Sequence, residues 1–187
     1  MHNELRRHIE EIVSLTDDEY SLITSHFTLQ KFKKNDFLIR QGESVKYTYF
    51  VISGLLKLVY YDESGKEHIL SFAMEDWWET DYQAFYSTSD ATMSLQCLEN
   101  TTVLRITLKD YHHLCAILPK IVLFFLKKAT SGHVASQQRL LSLLSSSAQD
   151  RYEQLLHRYP SLFQRVSKTL LASYLGVSRE TLSRLTL

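Results

Sequence analysis

Arg179, Glu180, Ser183 and Arg184 fall within six residues of one another in the stretch "LASYLGVSRETLSRL", residues 171–185. On a helix, successive side chains turn by about 100°. Leu182 and Leu185 then point inward and these four residues point outward. A helix exposing such groups can enter a major groove, where arginine bonds guanine O6 and N7, glutamate accepts from cytosine N4 and serine bonds either kind of edge. Each well-made pair contributes roughly 1–3 kcal/mol of discrimination between bases. Lys168, Ser178 and Thr181 lie near two helix starts, where ammonium, hydroxyl and free N–H groups suit phosphate oxygens. A Glu180/Arg184 pair at i,i+4 also occurs on ordinary solvated helices and adds only about 0.2–0.5 kcal/mol, so the charges alone do not identify a nucleic-acid surface.

The frame around those residues is more specific. Lys168 to Leu175 reads as one helix and Ser178 onward as a second, joined at Gly176-Val177. Two helices so close in sequence cross at a steep angle. The crossing needs a small residue where they touch, supplied by Ala172, and a residue tolerant of positive φ at the bend, supplied by Gly176. Leu171, Leu175, Val177, Leu182 and Leu185 form the small core, and the Ser178 hydroxyl caps the second helix. The pattern predicts a helix-turn-helix, with double-stranded DNA as its partner.

The charge distribution agrees. The 187 residues carry 21 Lys+Arg and 21 Asp+Glu. Residues 1–150 hold 15 basic against 19 acidic residues, and residues 151–187 hold 6 against 2. A polyanion is therefore drawn to the C-terminal end rather than to the body. At 44% hydrophobic and 22% charged residues the composition is that of a folded globular chain. The N-terminal "MHNELRRHIEEIV" lacks the apolar block of a secretory signal, and the longest apolar run is "IVLFFL" at 121–126, too short to span a bilayer. Cys97 and Cys115 form no CxxC pair. These features predict a cytoplasmic protein without a membrane partner.

Upstream, three textures follow one another. "LTDDEYSLITSHF" reads as a short helix, with Thr16 as N-cap and Glu19 completing a capping box. From Phe27 to Ile106 the chain is rich in β-branched and aromatic residues and is broken by "KKND", "QGES", "SG", "DESGKE" and "LEN", which predicts short strands in a double-layered roll. Pro119 then suits a helix start, and no further proline interrupts the chain to about Ser146. A helix of that length runs roughly 40 Å. It is too long for the body to cover. Ala129, Gly132 and Ala135/Ser136 would let a second copy approach, with Val122, Phe125 and Leu126 as anchors at one end. The expected class is α+β: a sensor domain over residues 1–118, a dimerisation helix over 119–146 and a helix-turn-helix domain over 147–187. Tyr159-Pro160 marks a helix stop inside the last.

"GVSRETLSR" closely resembles the recognition segment of the Crp/Fnr family of bacterial transcription regulators. "KKNDFLIRQGE", "YFVISGLLKLVYYDESGKEHILSFA" and "EDWWETD" resemble that family's cyclic-nucleotide-binding β-roll, and "QQRLLSLLS" the end of its dimer helix. The resemblance implies an N-terminal double-stranded β-roll, a homodimer reading a pseudo-palindromic site, and RNA polymerase as a further partner. By position it matches Arg179, Glu180 and Arg184 to base-contacting residues and Glu79 to the glutamate that meets a ribose. The sequence departs from the family in two places. Where an Arg-Ser pair would neutralise a cyclic phosphate, "YSTSDATMSL" has no arginine and contains Asp90, so cyclic AMP is not the expected effector and no cofactor is assigned. No β-hairpin wing follows the recognition helix before Leu187, as in a shorter subgroup; that helix is expected to fray alone and order on DNA.

Trp77, Trp78, Glu79 and Tyr82, with Phe85 beside them, could line an effector pocket, although aromatics in a β-body more often form core. His112 and His113 are adjacent and diverge on a helix, so with Cys115 they make no metal site. His68 has no second histidine in its strand for a cupin-like centre. No enzymatic activity is expected. The competing class is a ligand-binding or protein-interaction module that no longer reads DNA.

Overall fold

The computed structural model describes residues 3–185, so the outermost residues of the expected sensor and helix-turn-helix domains lie outside the described residues. Two helices open the chain, α1 (Asn3–Glu10) and α2 (Asp17–Ser25). The capping box is present: Glu19 N–H donates to Thr16 Oγ1 at 3.2 Å and Thr16 N–H donates to Glu19 Oε2 at 2.8 Å.

Eight strands follow among the described residues: β1 (Thr28–Phe32), β2 (Phe37–Ile39), β3 (Tyr47–Ser53), β4 (Leu56–Tyr61), β5 (Glu67–Ala73), β6 (Trp78–Glu79), β7 (Ser94–Cys97) and β8 (Thr101–Thr107), with helix α3 (Tyr82–Ser87) between β6 and β7. They pair antiparallel in two four-stranded sheets, ordered β1-β8-β3-β6 and β2-β7-β4-β5. Alternation along each strand separates two faces. Tyr49, Val51 and Val103 from one sheet meet Leu56, Leu58 and Leu95 from the other in the roll interior. The turn between β3 and β4 needs glycine for two reasons: Gly54 has φ +104°, and a Cβ there would lie 2.7 Å from Thr101 Cα and 2.8 Å from the Asn100 carbonyl oxygen.

The outer face of the first sheet is covered by helices. Helix α4 (Leu108–Ile117) starts on the Thr107 cap and leads through Pro119 into α5 (Lys120–Ser145). Ile121, Phe124 and Phe125 pack with Phe50, Leu104 and Ile106, joined by Leu5 and Ile9 of α1. Phe125 therefore belongs to its own subunit's core, tilted against Tyr111 at 4.4 Å, and is not available as the anchor for a second copy expected from its place in the sequence. The side chain is apolar, and helix phase against the sheet decides which core it joins. Further along α5, Leu126, Leu141 and Leu144 are 60%, 64% and 78% exposed.

Four helices complete the described chain: α6 (Ala148–Arg158), α7 (Leu162–Arg165), α8 (Lys168–Leu175) and α9 (Arg179–Leu185). Helix α6 ends just before Tyr159-Pro160, as the proline requires. The small core expected inside this lobe is not closed on itself. Leu155, Leu162, Val166, Leu171, Ala172, Leu175 and Leu182 pack in one cluster with Leu55, Val59, Ile69 and Phe72 of the roll. A lobe this small buries too little apolar surface alone, and the outer face of β4 and β5 supplies the rest.

Candidate DNA-reading surface

Helix α8 ends at Gly176, with φ +69° and its N–H directed at the Ala172 and Ser173 carbonyls; Val177 N–H reaches back to the Ala172 oxygen at 3.0 Å. This left-handed cap turns the chain sharply into α9. Ala172 and Leu182 are both buried at the crossing, and Leu182 is the buried residue of α9. The bend and the small-residue contact sit where the sequence pattern puts them.

With Leu182 inward, Arg179, Glu180 and Arg184 are exposed and Ser183 is half-buried. The Glu180 carboxyl is held below its usual range, first by its own backbone N–H and then by the Ser178 hydroxyl. Ser178 and Thr181 are engaged with each other: Thr181 N–H donates to Ser178 Oγ at 3.1 Å, and their hydroxyls lie 3.1 Å apart. Ser178 thus acts as the cap, its oxygen occupied by the helix start. Lys168 is exposed at the first position of α8.

The basic excess of the C-terminal region is smaller on its surface than the sequence suggests. Arg165 pairs with Glu75 at 2.8 Å and with Glu99 at 2.7 Å. Arg151 donates from Nε to the Leu175 carbonyl at 2.9 Å and from Nη1 to the Ser146 carbonyl at 2.7 Å, fixing the end of α5 to the last turn of α8. Arg139 of α5 lies over the Tyr174 ring at 3.6 Å and donates to the Ile69 and Tyr174 carbonyls. These three arginines hold the lobe in place. Sequence spacing gives no sign of that, because apart from Ser146, five residues from Arg151, their partners lie 24 to 90 residues away.

The four effector-pocket candidates share one strand–helix junction, but their side chains diverge. Trp78 packs outward against Phe27, Phe50, Phe124 and Phe125. Trp77 meets the Tyr159 ring edge-on at 5.4 Å. Tyr82 is 46% exposed and stacked on Tyr86. Glu79 turns into the roll, where it is 7% exposed and accepts from Ser71 Oγ at 2.6 Å and from Thr80 N–H at 3.1 Å. Burial outweighs those bonds and raises its carboxyl to about 7.

A neighbouring acid was not legible as a site residue. Asp81 is fully buried at the start of α3 and accepts from the N–H groups of Ala84, Thr92 and Met93 and from the Thr92 hydroxyl. It ties α3 to the loop where the resemblance would call for arginine. Its helix-capping position was readable in "ETDYQ"; its reach across to Thr92 was not. The acid of that loop, Asp90, is exposed and its backbone bridges to Ser44.

Among the described residues no helix is long and apolar enough to cross a membrane. Residues 29–117 match the family model of the cyclic nucleotide-binding domain. The chain is 28% identical over 163 residues to the transcriptional activator protein Anr of Pseudomonas protegens; the match takes in 81% of this chain and spans 66% of the length of Anr. It is 22% identical over 180 residues to the cAMP-activated global transcriptional regulator CRP of Salmonella typhimurium, covering 91% of this chain and 86% of that one. The fold is similar to that of the c-di-GMP responsive global regulator CLP of Xanthomonas campestris, with a TM-score of 0.74 at 17% identity, over 91% of this chain and 89% of the other. A β-roll matching the cyclic nucleotide-binding domain, a long helix running from it and a steeply crossed helix pair after that make the chain similar, over most of its length, to transcription regulators of the Crp/Fnr kind.

Proposed function

We propose that the protein is a homodimeric transcription regulator that reads a pseudo-palindromic DNA site through α9, under the control of a small effector held by the β-roll. The observation that carries this reading is the left-handed turn at Gly176, which sets Arg179, Glu180 and Arg184 on the open side of α9 while Leu182 anchors the other side. Arg179, Glu180, Ser183 and Arg184 contact base edges; Lys168, Ser178 and Thr181 contact phosphates, the last two chiefly through backbone N–H groups because their hydroxyls cap the helix. Contact with RNA polymerase and a place in the cytoplasm belong to the same reading.

Cyclic AMP is not the effector in this reading. The loop that would meet a cyclic phosphate holds no arginine and is tied to the buried carboxylate of Asp81, so an anion there would lie near a negative group without a cation to offset it. Glu79 remains suited to a hydroxyl of a ligand that reaches the roll interior.

Site selection from a random duplex pool tests DNA reading. Arg179→Ala and Arg184→Ala are expected to cost about 1–3 kcal/mol on the selected site and to relax preference at one base position each. Lys168→Ala should weaken binding to all sequences alike and flatten the salt dependence by about one unit of slope. Equal losses on every sequence for all three variants would remove base readout.

Dimerisation is assigned to α5. Leu123, Leu126, Val134, Leu141 and Leu144 are all exposed on it, an apolar stripe that one subunit leaves in water. Introducing Leu141→Glu together with Leu144→Glu is expected to give a monomer in sedimentation and to abolish high-affinity binding to a two-half-site duplex. An unchanged sedimentation coefficient would move the interface elsewhere.

A further inference from the structure

The six residues Met74–Glu79 between β5 and the end of β6 touch three parts of the molecule at once. Glu75 faces the C-terminal lobe: its carboxylate accepts from Arg165 Nη1 at 2.8 Å and Nη2 at 3.0 Å, and from Gly54 N–H at 2.8 Å. Glu99 completes the grip with bonds of 3.0 and 2.7 Å from the same guanidinium. Trp77 packs on Tyr159, at the joint between α6 and α7. Asp76, with φ +67°, pairs with Arg7 of α1 at 2.8 Å. Val51 clamps the segment to β3 by accepting from Asp76 N–H and donating to the Trp77 carbonyl. Two residues on, Glu79 is the acid buried inside the roll.

We propose that this segment is a coupling latch, by which the state of Glu79 in the roll interior sets how firmly the helix-turn-helix lobe is held on the roll, independently of α5. The proposal rests on the reading of the roll as an effector module and names the contact through which the effector acts. Three features favour it. The segment is short and hydrogen-bonded at both ends, so a displacement of β6 carries Glu75 and Trp77 with it. The ion pairs are partly exposed, with side-chain exposures of 23% for Arg165, 41% for Glu75 and 34% for Glu99. Such pairs set orientation while adding little adhesion, as a reversible contact requires. The apolar part of the same interface, Phe72 and Ile69 against Leu171 and Leu175, keeps the lobe nearby when the grip loosens.

Hydrogen exchange of the full chain, without DNA or effector, tests the latch and does not depend on duplex binding. At pH 8 Glu79→Gln removes the poorly solvated charge from the end of β6 and is expected to slow amide exchange across residues 162–182 by about fivefold, a common size for coupled sites. Residues 5–23 report global unfolding, which the same substitution also slows, so the latch is read as the part of the slowing in residues 162–182 that depends on Arg165. In an Arg165→Gln background the slowing should disappear, and the double variant Glu75→Gln with Glu99→Gln, which cuts the same contact from the roll side, should remove it as well. Slowing of equal size in the latched and unlatched backgrounds, or no slowing of residues 162–182 in the parent, would each overturn the proposal. Failure of DNA binding with an intact exchange pattern would overturn the regulator reading instead.

Discussion

Leu182→Ala is expected to destabilise the protein by about 3 kcal/mol and to eliminate DNA binding at any accessible concentration. Leu182 is 1% exposed and is the one residue through which α9 enters the shared core of lobe and roll. Truncating a buried leucine removes its transfer free energy and leaves a cavity, together worth about 2–5 kcal/mol. The functional effect should exceed the stability effect. A helix of seven residues is not stable by itself. With its single buried anchor gone, α9 keeps only the Ser178 cap and the Gly176 turn, and the two arginines lose their fixed positions. Urea unfolding followed by circular dichroism, beside a duplex titration of the same preparation, measures both effects. Near-normal binding with a stability loss below about 1 kcal/mol would mean that the lobe does not position α9 through Leu182.

The second large effect concerns pH. Glu79→Gln is expected to stabilise the protein by about 2 kcal/mol at pH 8 and to change little at pH 5. The folded-state carboxyl titrates at about 7 because burial penalises its charge, against an ordinary value of 4.5. Between those values the folded state holds the proton that the unfolded chain has released. Wild-type stability supplied by this group is therefore complete below about pH 4.5 and is lost as pH rises through about 7, amounting to roughly 3 kcal/mol once both states are ionised. Glutamine never ionises and escapes that loss. Of the two donors to the carboxylate, the Ser71 hydroxyl can rotate to accept from the new amide while the Thr80 N–H keeps an oxygen, an adjustment costing about 1 kcal/mol. Denaturation midpoints of both proteins between pH 5 and pH 8 provide the test. Parallel curves would show that Glu79 is ionised and solvated throughout.

Local chemistry made much of this protein readable from its residues in order. The Thr16 and Glu19 capping box, the left-handed turn at Gly176, the stop at Tyr159-Pro160 and the start of α5 after Pro119 each depend on side chains within a few positions of the backbone they govern, so spacing alone announces them. The alternation of strands and the inward phase of Leu182 follow from the same short-range geometry. What the tertiary structure decided is which distant groups meet. Arg165 lies 90 residues from Glu75, Asp81 reaches Thr92 across α3, and Phe125 joins its own core rather than an exposed stripe. Trp78 and Glu79, adjacent along the chain, face different surroundings because a two-residue strand sends alternate side chains to opposite faces. A charged or aromatic side chain specifies only what kind of partner it needs, and the folded chain determines which partner comes within reach.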